Sequence, residues 1–232
     1  MGDKTNELAM AAGVGCGLGY LWSFVNGNLD PTKPKHLYYA SVACAGNAMS
    51  SLGIHAITDH YSHNPELPFK ITETYWGIQA ASQITTKMGS HFALHDDLLY
   101  NVISTPLNFA TSPLFSTAGM AYGLGGSLID GFKSDINFRG GMISFAYQAC
   151  PSTPFNLGMT SHCVKTESTR DHEHAHMKQL TLMGDLGYAG VLVLDESVQL
   201  LLSAITFSPL PLARGPGGFS TEPWAEVMQR KP

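Results

Sequence analysis

Charge is what this sequence has least of. Asp, Glu, Lys and Arg make up 13% of its 232 residues, about half of the ~25% usual in soluble domains. The thirteen Lys and Arg are scattered singly among eighteen acids, so no basic stripe can release counterions from a phosphate backbone, which argues against a nucleic-acid partner. A net charge of −5 beside nine Tyr, eleven Phe and three Trp is far from the charged, aromatic-poor composition of disordered chains. Cysteine is scarce too. Cys16, Cys44, Cys150 and Cys163 include no CxxC pair, which argues against a zinc ribbon or a dense disulfide framework and makes free buried thiols the expectation. A signal-peptide start is a poor match, because Met1 to Glu7 carries Asp3, Lys4 and Glu7 rather than a basic leader.

Long Leu or Ile blocks are also missing. Leu8 to Val25 has the ~18 residues that a bilayer needs at minimum, but five of its residues are Gly or Ser. Further uncharged stretches run from His36 to Thr58, from Leu98 to Ile129 and from Gly140 to Val164. Helices rich in small residues pack closely inside membranes, so contact with a bilayer or a large assembly through the N-terminal half stands beside a compact soluble fold.

What the chain does have is glycine, 24 residues, and histidine, ten. Periodicity predicts helices over about Asn6 to Phe24, Leu37 to Ser62, Glu73 to Met88 and His91 to Ile103. Between Pro106 and Asp135 a Ser/Gly/Ala-rich segment reads as an apolar hairpin or a small-residue helix. From Gly140 the texture changes: Met142 to Gln148 and Phe155 to Met159 are short, apolar and aromatic, as strands are. Ser168 with Asp171 three residues on predicts a helix start, and helices follow over about Arg170 to Met183 and Tyr188 to Thr206.

His172, Glu173, His174, Ala175 and His176 spell HExxH. On a helix, His172 and His176 project from one face, where two imidazoles can share one zinc ion, while Glu173 stands ready to take a proton from water as it attacks a carbonyl. His174 has no part in this. A third ligand is expected downstream, with Glu222 the first choice and Glu226, four residues later, the alternative. A solvated His/Glu helix start is the competing reading of the same residues.

The run Asn156-Leu157-Gly158, then HExxH, then Gln179, Leu186-Gly187-Tyr188 and Thr221-Glu222 resembles bacterial zincin-like domains found in secreted and Rhs-type proteins. In these a strand ending in Leu-Gly-Asn precedes a helix with HExGHxxQ. The likeness covers about residues 140–230; Met159 stands where the family has Asn, and Ala175 where it has Gly. It implies a metallopeptidase-type fold with bound zinc and a peptide or protein as substrate. The expected architecture is therefore α+β: a mostly helical, Gly/Ala-rich part over 1–135 and a zincin-like unit over 136–232.

A second cluster competes. His55, Asp59 and His63 advance four residues at a time on one helix, with His91 and His95 about thirty residues later. His55 and His63 are roughly 12 Å apart along the axis, too far for one ion, so Asp59 would have to bridge two metals. That pattern resembles the helical zinc phosphoesterases. A third possibility is a structural subunit of a membrane complex or assembly, without catalysis.

Overall fold

The computed structural model describes residues 2–131, 133–147, 154–164, 166–206 and 221–229. It is mostly helical with one small mixed sheet. Two compact units divide the chain, 1–74 with 182–232 and 75–181. The division does not fall at the 135/136 boundary expected from the change of texture in the sequence. That change marks the passage from helix to strand, and the strands pack with the helices just before them.

In the first unit, α1 (Gly2–Asn26) lies along α2 (Pro34–Tyr61). Ala11, Gly15, Gly19 and Ser23 form the buried stripe of α1. A Cβ at Gly19 would collide with the Ala43 carbonyl, and one at Gly15 with Ser51, so the absence of side chains sets how closely the helices approach. At this approach Cys16 and Cys44 form a disulfide, with Cα atoms 3.9 Å apart. This corrects the expectation of free thiols: packing of small residues brings together two cysteines that sequence spacing leaves unrelated. Cys163 is disulfide-bonded as well, and Cys150 lies outside the described residues.

Further along in this unit, Gly187 N–H donates to Ser50 Oγ (2.8 Å) and Met183 fills the space above Gly46. The last helix, α7 (Thr221–Gln229), buries Trp224 completely and stacks it on Tyr39, ring centroids 6.2 Å apart. Asn28 Nδ2 donates to the Met228 carbonyl (3.0 Å) and ties the end of α7 to the turn after α1.

The second unit takes the later part of α3 (Leu67–His91), then α4 (Leu98–Thr111), α5 (Pro113–Ile129), the sheet, and the first part of α6 (Glu167–Thr206). Asp97 caps α4 by accepting from the Tyr100 N–H (2.9 Å), so the helix expected over His91 to Ile103 starts later. Pro106 sits inside α4, and the Ser/Gly/Ala-rich segment is helical as α5. The strands β1 (Asp135–Arg139), β2 (Met142–Ala146), β3 (Phe155–Leu157) and β4 (Thr160–His162) lie in the order β1-β2-β4-β3, with β2 and β4 parallel. Between β1 and β2 the chain turns through Gly140 and Gly141, φ +63° and +75°, a tight reversal that glycine makes without strain. Met142, Ile143, Phe145, Met159 and Met177 form the core between sheet and α6.

By length and composition, Lys4–Asn26 and Glu167–Ile205 are the two helical segments, among the described residues, apolar enough to cross a membrane.

Candidate metal centre

The HExxH residues stand in the first turns of α6. Its start is fixed by Thr166, whose Oγ1 accepts from the Thr169 N–H (3.2 Å), so the capping residue lies two positions before Ser168. Arg139 at the end of β1 then pairs with Glu167 in the first turn and with Asp96 before α4, both at 3.0 Å. Deeper in, Met177 packs in the core, and Asn108 Nδ2 reaches its sulfur at 3.2 Å. Lower still, Gly184 leaves helical geometry at φ 70°, ψ 172°, a conformation open to glycine. Gly184 thus parts α6 into two helical segments, as expected for helices over about Arg170 to Met183 and Tyr188 to Thr206. Gln79 Nε2 donates to the Thr181 carbonyl (3.1 Å) just above the kink, and Gln83 Nε2 donates to the Thr181 hydroxyl (3.1 Å).

His172 and His176 converge as their spacing requires. Their Nε2 atoms are 3.1 Å apart and their rings meet edge to face. Two nitrogens bound tetrahedrally to one zinc at ~2.0–2.1 Å would stand about 3.3 Å apart, so a small rotation of either ring accommodates an ion. The other nitrogen of His176 is committed: Nδ1 donates to Gln179 Oε1 (3.0 Å). That bond puts the proton on Nδ1 and leaves the Nε2 lone pair facing His172, the tautomer a metal ligand needs. Gln179 is fully buried and Glu173 nearly so, at 3%.

His174 turns the other way. Its Nε2 donates to the Gly140 carbonyl (3.0 Å) and its ring meets His95 edge to face at 5.6 Å. Burial, with the Lys178 ammonium adding to it, pushes the His174 pKa well below the ordinary imidazole value, and burial lowers that of His95 too. Lys178 itself is brought down to about 8 by burial. His174 is thus a neutral packing residue that docks α6 on the β1–β2 turn. Sequence reading of the motif leaves this docking unseen, because its acceptor is a backbone carbonyl.

Of the acids expected to complete the ligand set, Glu222 is half-buried in the first turn of α7 and Glu226 is exposed one turn later. Both belong to the first unit.

The competing cluster has other partners. Asp59 accepts from Lys4 Nζ with both oxygens, each at 3.0 Å. His55 is buried with Nε2 3.8 Å from Glu7. Together with Leu8, Ala56 and His60, the residues Lys4, His55 and Asp59 line a cavity of about 260 Å³. His63 is exposed beyond the end of α2, and His91 is exposed as the last residue of α3. Among the described residues, His55, Asp59, His63, His91 and His95 supply no three ligand atoms close enough for one ion.

No protein-family model, no curated protein and no solved structure matches the chain.

Proposed function

We propose that this protein is a zinc-dependent hydrolase of the metallopeptidase type. The observation that carries the reading is the convergence of His172 and His176 Nε2 atoms, with the His176 tautomer set by buried Gln179. In this reading His172 and His176 each give one ligand atom, and the third ligand is the one expected from the sequence, Glu222, with Glu226 the alternative. A divalent ion held by them would supply the Lewis acidity that makes water a nucleophile at neutral pH. The chain's own contribution is to hold two lone pairs in register on one helix face and to bury Glu173, the residue after His172, away from bulk water, in the role of proton acceptor. Peptide as the substrate class comes from the resemblance to zincin-like domains.

Zinc content and turnover separate the roles. Wild-type protein should hold one zinc per chain, and His172→Ala with His176→Ala should hold none. Glu173→Gln should keep the zinc and lose at least a hundredfold in hydrolysis of an unstructured protein such as casein. Equal zinc in wild type and the double variant would overturn the assignment.

A further inference from the structure

The helices α4 and α5 are built with their polarity inverted. Between Leu98 and Ile129 there is no Asp, Glu, Lys, Arg or His, while Asp96, Asp97 and Asp130 stand immediately outside. The buried side of α4 carries Tyr100, Asn101, Ser104, Asn108 and Thr111, and that of α5 carries Ser116, Gly119, Gly123 and Ser127. The outward side is aliphatic: Leu99 is 69% exposed, Leu128 62% and Ile129 88%. Of the sixteen exposed positions in this stretch, Thr117 and Tyr122 alone bear a polar side-chain group.

The buried polar groups have work inside the unit. Asn108 donates to the Gly141 carbonyl (3.0 Å) and accepts from Ser82 (2.7 Å). Asn101 accepts from the Gly141 N–H (2.9 Å). At Gly119 a Cβ would strike the Leu157 carbonyl. Placing these groups inside leaves the long aliphatic side chains outside, where water disfavours them at roughly 25 cal/mol per Å².

We propose that the outer face of α4 and α5 lies in the hydrocarbon of a lipid bilayer. A protein partner's contact is ringed by polar and charged groups, whereas this face carries no charge and two polar side chains, Thr117 and Tyr122, along two whole helices; acyl chains offer no hydrogen bonds and call for none. At 14 and 17 residues the helices are about 21 and 26 Å long, short of the ~30 Å hydrocarbon thickness. The pair therefore seats in the membrane without either helix crossing it alone, and the aspartates at its ends stay in water. In the other unit, α1 likewise buries small residues, Ala11, Gly15, Gly19 and Ser23, while Met10, Val14 and Leu21 face outward.

The test uses the full chain, purified in dodecyl maltoside and mixed with phosphatidylcholine vesicles after detergent removal. The protein should float with the vesicles, and Trp introduced at Leu99 or Leu128 should be quenched by lipid brominated on its acyl chains. Leu99→Asp with Leu128→Asp should weaken vesicle partition at least tenfold with helix content retained, whereas Asp at exposed Ile136 on β1 should leave it unchanged. Three results would overturn the proposal: no flotation, equal partition of the double variant and the Ile136 control, or a detergent-free soluble oligomer whose formation protects Leu99 and Leu128. The last would assign the face to a second copy of the chain.

Discussion

Gln179 is the residue whose replacement tests the proposed metal centre most sharply. It is fully buried, and its Oε1 accepts from His176 Nδ1 at 3.0 Å. Leu in its place keeps the volume and removes the acceptor. A buried N–H left unpaired costs about 1–3 kcal/mol, and the imidazole regains the option of moving its proton to Nε2, where it would point at His172. The metal-free imidazole escapes that cost by taking the Nε2–H tautomer, which the ion must then reverse, so metal binding weakens by a factor of roughly 5 to 150, in line with the 10- to 100-fold losses usual when a ligand's supporting hydrogen bond is cut. The assay is zinc titration by calorimetry at pH 7.5, with a competing chelator, on wild type, Gln179→Leu and Gln179→Glu. Leu should weaken zinc binding 10- to 100-fold. Glu, which keeps an acceptor in place, should bind zinc at least as tightly as wild type. Unchanged affinity in the Leu variant, or equal losses for Leu and Glu, would refute the tautomer-setting role, since a residue needed for packing alone gives no reason for Glu to rescue.

Two more outcomes follow from other parts of the molecule. The Cys16–Cys44 disulfide closes a loop of 28 residues, which in the chain-entropy picture stabilises by about 3.5 kcal/mol; Cys16→Ala with Cys44→Ala should lower the thermal midpoint of the non-reduced protein by several degrees, and an unchanged midpoint would remove the disulfide's structural role. His162 is held neutral: Nε2 donates to Thr160 Oγ1 and Nδ1 accepts from the Tyr147 hydroxyl, each at 2.9 Å, and burial brings its pKa from 6.5 down to about 4. Because the folded state binds this proton less readily than the unfolded one, its contribution is constant above pH 6.5 and is lost as the pH falls toward 4, by about 2.5 kcal/mol between pH 7.5 and 4.5. Urea midpoints across that range should fall less steeply in His162→Gln than in wild type, and parallel slopes would refute the assignment.

The features legible in the sequence are those written in local spacing. The break at Asp30-Pro31 between the first two helices can be read directly, and His172 and His176 are one helical turn apart wherever a helix forms. Gln179, three residues past His176, falls on the same face, so its position could be read even though its bond could not. What escaped depends on contacts far apart in sequence. β4 has three residues and exists because it pairs with both β2 and β3; no periodicity can announce so short a strand. The disulfide follows from close packing at Gly15 and Gly19. His174 docks on a carbonyl 34 residues away, and the side chain at residue 140 that could have hinted at it does not exist. At the start of α4, the Asp97 cap outweighs the helical pattern of the residues before it.

The faint periodicity of the helices has a physical origin of its own. An amphipathic helix announces itself when apolar residues recur on the buried face and charged ones on the other. Here the buried faces of α2, α4 and α5 carry Asn47, Ser50, Asn101, Ser104, Asn108, Ser116 and Ser127, and the opposite faces carry Leu, Ile and Val with no charge among them in α4 and α5. Small polar residues and aliphatic ones differ little in size and not at all in charge, so the contrast that marks a water-facing helix is weak. The low charge fraction is the visible consequence. Charge is concentrated in turns and helix ends, at Asp96, Asp97, Asp130 and Arg139, and in the first turns of α6, where Glu167, Asp171, Glu173 and Lys178 surround three histidines. In a chain that spends so few ionisable groups on its surface, gathering this many within twelve residues of one helix requires a local reason, and a pair of imidazoles aimed at each other from i and i+4 supplies one.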